Sequence, residues 1–323
     1  MGPPQGLASA GQVSFRDGSL VPSAARKLSA TWQGGRMTSA GGEQVTLFVS
    51  DAYSADEVQR WAEFFFALPH GTELGKLVAY VAPFEEVGRL CGSDALGCYW
   101  SNELVTIGGA VDDVSAEEVA THEYGHHIAS NRDNAPWLAV DWGTKRWASY
   151  ANICSRAKAG SVYPGNEESW YRLNPGEAFA EVYRVMVETK DGATGFAWSL
   201  VDSSFIPDAT ALRAVEQDVL QPWSASPPIT MAGRFNGKGS RTWTRKVATA
   251  LDGIVNLAVT MPQGALYDAM VVGPDGKTVI SRALWSGKGE KAATFPICGE
   301  RSLTIRVVRR GAPGRFSIVL TRP

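Results

Sequence analysis

A change in residue pattern after residue 220 divides the chain into two parts with different architectures. Before it, helical and strand patterns alternate, whereas after it only short alternating runs occur. The segment Gln221–Thr230 between them is rich in proline and serine, which is typical of a linker. A chain of 323 residues is also long for one compact domain, so two domains are expected. The predicted organisation is a lead-in segment, a first domain, a linker and a C-terminal domain, with bounds 1–40, 41–220, 221–230 and 231–323.

The first part predicts an α+β domain with a mixed sheet. Gln44–Ser50 alternates apolar and polar residues as a strand does, and Ser54–Leu68 has apolar residues at helical spacing. Leu77–Ala82 is a second strand pattern, and Cys98–Gly108 contains a third. This strand–helix–strand–strand order leads into further helices, which is typical of the α+β class.

Two later helices have clear start signals. Ser115-Ala-Glu-Glu118 is a capping box, in which the serine and the last glutamate can each accept a hydrogen bond from the other's backbone amide. That helix should extend to about Ser130. Asn174-Pro175 places an N-cap residue before a proline at the first helical position, and this helix should extend to about Thr189.

The last part predicts an all-β sandwich. Seven short alternating runs are separated by turns such as Pro274-Asp-Gly276, and strands at this spacing are typical of a sandwich. The runs are Thr242–Ala248, Ile254–Thr260, Tyr267–Val272, Thr278–Ser281, Ala292–Ile297, Leu303–Val308 and Phe316–Leu320.

Composition and charge argue against two classes of partner. The formal net charge is −2 and no basic run extends beyond Arg309-Arg310, so we expect no nucleic-acid partner. No apolar stretch approaches the roughly 18 residues that a membrane-spanning helix needs. The N-terminal sequence lacks the basic and apolar regions of a signal peptide, which leaves a cytoplasmic protein or a mature secreted one. We expect a monomer.

The four cysteines favour the secreted interpretation. A small, even number fits two disulfides in an oxidising compartment, with four buried free thiols as the alternative. Cys91 and Cys98 bracket a short glycine-containing loop that is easy to bridge. Cys154 and Cys298 would then pair, and their bridge would join the two predicted domains.

The first capped helix carries a His-Glu-x-x-His motif, made of His122, Glu123 and His126. Residues four apart lie on one helix face, so both imidazoles can reach a single zinc ion. Glu123 lies beside the first histidine and can take a proton from a water molecule without binding the metal. His127 points about 100° away from His126 and is expected either to pack in the core or to support the metal ligands without binding the ion.

A catalytic zinc ion needs a third protein ligand. The metzincin pattern would require glycine at position 129 and histidine at position 132, where this chain has Ala129 and Arg132, so that class is excluded. Because no histidine follows His127, the third ligand should be a carboxylate. The candidates are Asp133, Asp141, Glu167, Glu168, Glu177 and Glu181.

Two glutamates on the second helix are the strongest of these candidates. Glu177 and Glu181 are four residues apart and therefore share one face, where apolar neighbours indicate that the helix packs inward. One carboxylate can bind the metal while the other orients a histidine ligand through a hydrogen bond. The alternative is that Glu177 only completes a capping box with Asn174 and that Glu181 is solvated.

Together these motifs resemble the gluzincin metallopeptidases, the thermolysin-like class. The resemblance implies His122, His126 and Glu177 as zinc ligands, Glu123 as general base, and Glu181 as hydrogen-bond partner of the first histidine. It also implies a zincin-like catalytic domain of mixed sheet and active-site helices, followed here by the predicted β-sandwich.

The resemblance covers roughly residues 44–190 in motif order, with two departures from the family pattern. The gap between His126 and Glu177 is longer than usual, and the acidic partner is glutamate rather than aspartate. The family stabilises its oxyanion with a downstream histidine and a tyrosine, and this chain has no such histidine. The candidates for that role are Tyr171, which we take as the catalytic one, and Tyr163, Tyr183 and Arg172.

The C-terminal part resembles the pre-peptidase C-terminal domains of secreted bacterial peptidases. The segments that carry the resemblance are Leu266-Tyr-Asp268, Gly273-Pro-Asp-Gly276 and Gly314–Leu320. It implies a role in adhesion, solubility or secretion, including binding to another protein or a surface.

The predicted function is therefore a secreted endopeptidase that holds one catalytic zinc ion and acts on polypeptides. The alternatives are a zinc hydrolase of a non-peptide bond and a non-catalytic zinc-binding adhesin or structural module. A bound calcium ion is a further option at Asp112-Asp113, although exposed acidic pairs are usually solvated.

Overall fold

The structure is a computed structural model that describes residues 32–287 and 289–323. Residues 1–31, most of the predicted lead-in segment, lie outside the described residues. The described chain is mixed α/β with several sheets, and its C-terminal part is rich in strands. It forms two compact units, and the second includes two short segments from earlier in the chain. The first unit contains the described residues up to Asp133, Leu138–Trp147 and Arg156–Trp223; the second contains Asn134–Trp137, Ala148–Ser155 and Ser224–Pro323.

A five-stranded mixed sheet forms the base of the first unit. Its strand order is β1-β2-β3-β5-β4, with β2, β3 and β5 parallel and the two edge strands antiparallel to their neighbours. The strands are β1 (Trp32–Thr38), β2 (Gln44–Ser50), β3 (Val78–Ala82), β4 (Gly97–Trp100) and β5 (Glu103–Ile107).

Eight α-helices occur in the described part of the chain before residue 224. They are α1 (Asp56–Ala67), α2 (Phe84–Cys91), α3 (Ala116–Ser130), α4 (Ala139–Trp142), α5 (Lys145–Tyr150), α6 (Ile153–Lys158), α7 (Pro175–Lys190) and α8 (Ala209–Leu220). A two-stranded ladder joins β6 (Asp133–Asn134) and β7 (Trp137–Leu138).

Alternation and crossover geometry explain this sheet. Val45, Leu47 and Val49 of β2 are buried on one face, as the period of two requires. Parallel neighbours need a crossover connection, and α1 supplies it between β2 and β3, burying Trp61 and Phe65. The strand predicted at Gln44–Ser50 has the observed bounds, whereas β1 and α2 were not predicted.

The two helices with start signals form as predicted. Ser115 Oγ accepts a hydrogen bond from the Glu118 amide at 3.1 Å, and Glu118 Oε2 accepts one from the Ser115 amide at 2.8 Å. Asn174 Oδ1 accepts from the Gly176 amide at 3.0 Å at the start of α7. Helix α3 packs against β4, β5 and α7, and its residues 119–129 are all buried.

The second unit consists mainly of two four-stranded antiparallel sheets that share one hydrophobic core. Their strand orders are β13-β10-β15-β8 and β12-β11-β14-β9. The seven predicted strands are all present, and an eighth, β8, begins inside the predicted linker. The strands are β8 (Ile229–Phe235), β9 (Thr242–Ala248), β10 (Gly253–Met261), β11 (Leu266–Val272), β12 (Val279–Ser286), β13 (Gly289–Ile297), β14 (Ser302–Arg309) and β15 (Gly314–Thr321).

Both predicted disulfides are present, and the free-thiol alternative is wrong for all four cysteines. Cys91 at the end of α2 is bonded to Cys98 in β4, and Cys154 is bonded to Cys298. The expectation that the second bridge joins two domains is wrong, because Cys154 and Cys298 both belong to the second unit.

Peptide mapping of the native protein without reductant should recover two cross-linked peptide pairs, Cys91 with Cys98 and Cys154 with Cys298. Reduction before digestion should separate both pairs, which serves as the control. Alkylation of any of the four thiols in unreduced, unfolded protein would contradict this pairing.

Candidate metal centre

Three buried side chains from α3 and α7 converge on one point. The Nε2 atoms of His122 and His126 lie 3.3 Å apart, and Glu177 Oε2 lies 3.4 Å from the first and 3.5 Å from the second. The three residues are exposed by only 2 %, 4 % and 1 %. Two imidazoles and a carboxylate with donor atoms this close form a group that could hold a metal ion.

The convergence depends on a close approach of α3 and α7. A Cβ atom built on Gly125 would lie 2.7 Å from the Cα of Ala180, so glycine is needed where the two helices meet. Gly125 precedes His126 in α3, and Ala180 lies between Glu177 and Glu181 in α7. The helix contact therefore brings the ligand-bearing faces to within side-chain reach of each other.

Glu181 orients the first histidine. Its Oε2 lies 3.1 Å from His122 Nδ1, which leaves Nε2 of the same ring directed at the group's centre. Arg184 donates two hydrogen bonds to this carboxylate, from Nε at 3.1 Å and from Nη2 at 2.7 Å. Arg184 is itself held by Glu188 and by the Ala197 carbonyl oxygen. His122, Glu181 and Arg184 thus form one continuous, buried hydrogen-bond network.

The charges of this group are strongly coupled. Burial lowers the pKa of His122, but the hydrogen bonds that its imidazole donates to Glu177 and Glu181 outweigh burial and raise that pKa to about 10. Burial raises the pKa of Glu177, but the charge of His126 and bonds to both imidazoles hold it at about 2. The pKa of Glu181 is likewise about 2, because His122 and Arg184 outweigh burial. A metal ion bound here would compete with protons for the imidazoles.

Glu123 lies beside the group with no partner of its own. Its side chain is fully buried, and neither carboxylate oxygen has a hydrogen-bond partner among the described residues. Burial raises its pKa well above the ordinary value; His122 lowers it in part, while Glu177 and Glu167 raise it further. A buried carboxylate without partners costs free energy, so it is typical of a functional group.

Tyr171 reaches the same point from a 3₁₀ turn, Tyr171–Leu173, that directly precedes α7. Its hydroxyl donates a hydrogen bond to Glu177 Oε2 at 2.7 Å, and burial raises its pKa well above the ordinary value, which keeps the phenol a donor. The other tyrosine candidates have different partners, since Tyr183 donates to the Pro69 carbonyl and Tyr163 to the Gly160 carbonyl. Arg172 donates to backbone carbonyls near residue 200.

The remaining alternatives for the third ligand do not join the group. Asp133, Asp141, Glu167 and Glu168 are not part of it, and the calcium candidates Asp112 and Asp113 form no comparable cluster in the described ranges.

The capping-box alternative for Glu177 is wrong. The cap of α7 is the hydrogen bond that the Gly176 backbone amide donates to the Asn174 side chain. The backbone amide of Asn174 donates to the Tyr171 carbonyl oxygen and not to the Glu177 carboxylate, as a capping box would require. His127 packs in the core as predicted, where burial lowers its pKa to about 4. Its Nε2 lies 2.9 Å from the Glu73 carbonyl oxygen.

Comparisons with known proteins give no family. No protein-family model and no curated protein matches the chain. Among solved structures, the pre-peptidase C-terminal domain of a Bacillus anthracis collagenase is 13 % identical, with 28 % of this chain and 87 % of that domain covered and a TM-score of 0.24. The Aeromonas hydrophila lysozyme inhibitor PliG is 15 % identical, with 29 % and 84 % covered and a TM-score of 0.22. TM-scores this low carry no argument about fold or function.

Substitution of the two α7 glutamates should separate their roles. Glu177→Ala removes one of three donors, so the folded variant should lose most of its metal after dialysis against a weak chelator. Glu181→Ala removes no donor atom of the group, only the hydrogen-bond partner of His122 and Arg184, and should weaken metal affinity by about 10–100-fold. The measurement is metal stoichiometry, with melting curves to verify folding.

Glu63→Ala, on the exposed face of α1, is the matched control and should retain the metal. Full metal occupancy in folded Glu177→Ala would remove Glu177 from the ligand set.

Proposed function

We propose that this chain is a secreted zinc metallopeptidase of the gluzincin type, acting on polypeptides. The observation that carries the proposal is the convergence of His122, His126 and Glu177 beside the buried carboxylate of Glu123, which has no hydrogen-bond partner in the part of the chain that the structure describes. Two histidines and one glutamate are a ligand set of catalytic zinc sites, in which a fourth position is left for water or substrate. The zincin-like fold of the first unit is part of the same proposal.

The donor chemistry fits zinc. Imidazole nitrogen suits zinc better than it suits magnesium or calcium, which prefer oxygen ligands. A zinc ion held by these three residues would supply a Lewis acid that polarises a peptide carbonyl and lowers the pKa of water at the site.

Glu123 has the position and the pKa of an acid–base group. A carboxyl group without hydrogen-bond donors is available to accept a proton from the attacking water molecule. Burial raises the pKa of Glu123 well above the ordinary value, which makes its carboxylate a stronger proton acceptor, and the same group can then give that proton to the leaving amine.

Tyr171 is suited to stabilising the oxyanion. Its hydroxyl is bonded to a ligand oxygen of Glu177, so a small rotation would direct the same donor toward a substrate oxygen at the site. Glu181 and Arg184 keep the imidazole of His122 in one tautomer and orientation.

Location and partners belong to the proposal as well. Two disulfides suit an oxidising compartment and support secretion. No helix in the described ranges is both long and apolar enough to cross a bilayer. We propose a monomer without a nucleic-acid partner, in which the C-terminal β-rich unit binds another protein or a surface.

The test of the reaction is hydrolysis of casein by zinc-loaded protein. Chelation should abolish it, and Glu123→Gln should retain zinc while activity falls by roughly 10²–10⁴-fold, because the proton acceptor is lost. A zinc-loaded wild-type protein that cleaves no peptide but hydrolyses ester substrates would favour the non-peptide alternative. Undiminished turnover by Glu123→Gln would place the general base elsewhere.

Replacement of Tyr171 tests the oxyanion role. Tyr171→Phe should lower kcat by roughly 10²-fold with KM little changed, since a single oxyanion donor contributes about that much. Tyr163→Phe is the matched control, because that hydroxyl bonds only the nearby Gly160 carbonyl in the described structure, and its kcat should match the wild type. An unchanged kcat in Tyr171→Phe would reject this assignment.

A further inference from the structure

Strand β4 passes directly over Glu123 at Gly97. A Cβ atom built on Gly97 would lie 2.6 Å from Glu123 Oε1 and 2.9 Å from Glu123 Cγ. It would also lie 2.8 Å from Cγ1 of Val119. Favourable contacts between carbon atoms begin at about 3.5 Å, so no side chain fits while Glu123 keeps its position.

The strand is fastened on both sides of this contact. The Leu96 carbonyl oxygen accepts a hydrogen bond from the Ile107 amide at 3.0 Å, and Gly97 is paired with Thr106 of β5. The next residue, Cys98, is linked by its disulfide to the end of α2. The backbone at Gly97 therefore cannot move away from Glu123 without disturbing either the ladder or the disulfide.

Packing, and not hydrogen bonding, defines where the Glu123 carboxylate lies. Neither oxygen has a donor in the described structure, so no bond fixes the side-chain rotamer. The carboxylate is fully buried, and the β4 backbone at Gly97 lies against it. If a methyl group were added at position 97, the end of the Glu123 side chain would be the most movable of the atoms it meets.

We propose that Gly97 is a positioning residue for Glu123. The absence of a side chain at Gly97 lets β4 form a wall that keeps the carboxylate beside His122, and any side chain there would displace it. This inference rests on the proposed function, in which Glu123 is the general base. A purely structural role for Gly97, through contact with Val119 alone, is the competing explanation.

The kinetic test compares Gly97→Ala with Gly109→Ala in the zinc-loaded full chain. A Cβ atom at Gly109 would meet no described atom within 4 Å, so that variant should match the wild type. Gly97→Ala should retain full zinc content and a KM within about threefold, while kcat falls by about 10–100-fold, the scale of a 1 Å misplacement. Wild-type kcat in Gly97→Ala would overturn the proposal.

A second test needs no catalytic activity. The chemical-unfolding midpoint of the metal-free protein is measured for Gly97→Ala, Glu123→Ala and the double variant. If the added methyl group meets Glu123, Gly97→Ala should lower the midpoint clearly in the native background and much less in the Glu123→Ala background. An equal shift in both backgrounds would overturn the proposal in favour of the Val119 contact.

The two tests keep the inference separate from the proposed function. If zinc-loaded wild-type protein cleaves no peptide, the proposed function fails, while the unfolding cycle still decides the contact. If Gly97→Ala alone does not fold, recovery of folding in the double variant with Glu123→Ala supports the proposal. Failure to fold in both variants overturns it.

Discussion

The contact between Gly125 and Ala180 is the constraint on which the candidate centre depends. Side chains of histidine and glutamate are short, so two helices that carry them can share one ion only if their backbones come close. Glycine at position 125 allows this, because a Cβ atom there would lie 2.7 Å from the Ala180 Cα. The capping box and the asparagine cap fix where each helix begins. Helix ends and helix contact together determine which residues face each other.

The contact between α3 and α7 buries several ionisable side chains close together. Helix α7 directs Glu177 and Glu181 inward, and α3 directs two imidazoles toward them, all nearly inaccessible to water. Burial of unpaired carboxylates is costly, so the group needs positive charge. A proton on His122 can supply such charge, because its hydrogen bonds to Glu177 and Glu181 raise the pKa of this imidazole to about 10. A divalent cation would supply the positive charge without protonation of the imidazoles. The raised pKa of His122 and the proposed metal therefore have the same cause, which is the negative charge of the buried glutamates.

The sequence predicted this centre well where the signals are local. The four-residue spacings of His122 with His126 and of Glu177 with Glu181 place each pair on one helix face, whatever the rest of the fold. Gly97 could not be found in this way, because its importance lies in a contact with a residue 26 positions later in the chain. Arg184 follows Glu181 by three residues, a spacing that permits the observed pair but does not distinguish it from a solvated arginine.

The fold shows the same division between local and distant causes. Strands with clear alternation, such as Gln44–Ser50 and Thr242–Ala248, have the predicted bounds. Strand β1 was missed because its Gly34-Gly35 pair weakens the strand pattern, and its stability comes from pairing with β2. Strand β8 was missed because its first residues continue a proline- and serine-rich segment, although it pairs with β15 over seven residues.

The state of Glu123 bears most directly on whether the proposed zinc would be catalytic or structural. Structural zinc sites are closed by four protein ligands, whereas the group in the described residues offers three. A closed site would gain nothing from a further carboxyl group nearby, because an additional buried negative charge would only raise the cost of burial. Here that carboxyl group is present, has no hydrogen-bond partner among the described residues, and lies against a strand that leaves room for it only because residue 97 is glycine. A structural role accounts for the three ligands alone, while a proton-transfer role also accounts for Glu123 and for the absence of a side chain at Gly97.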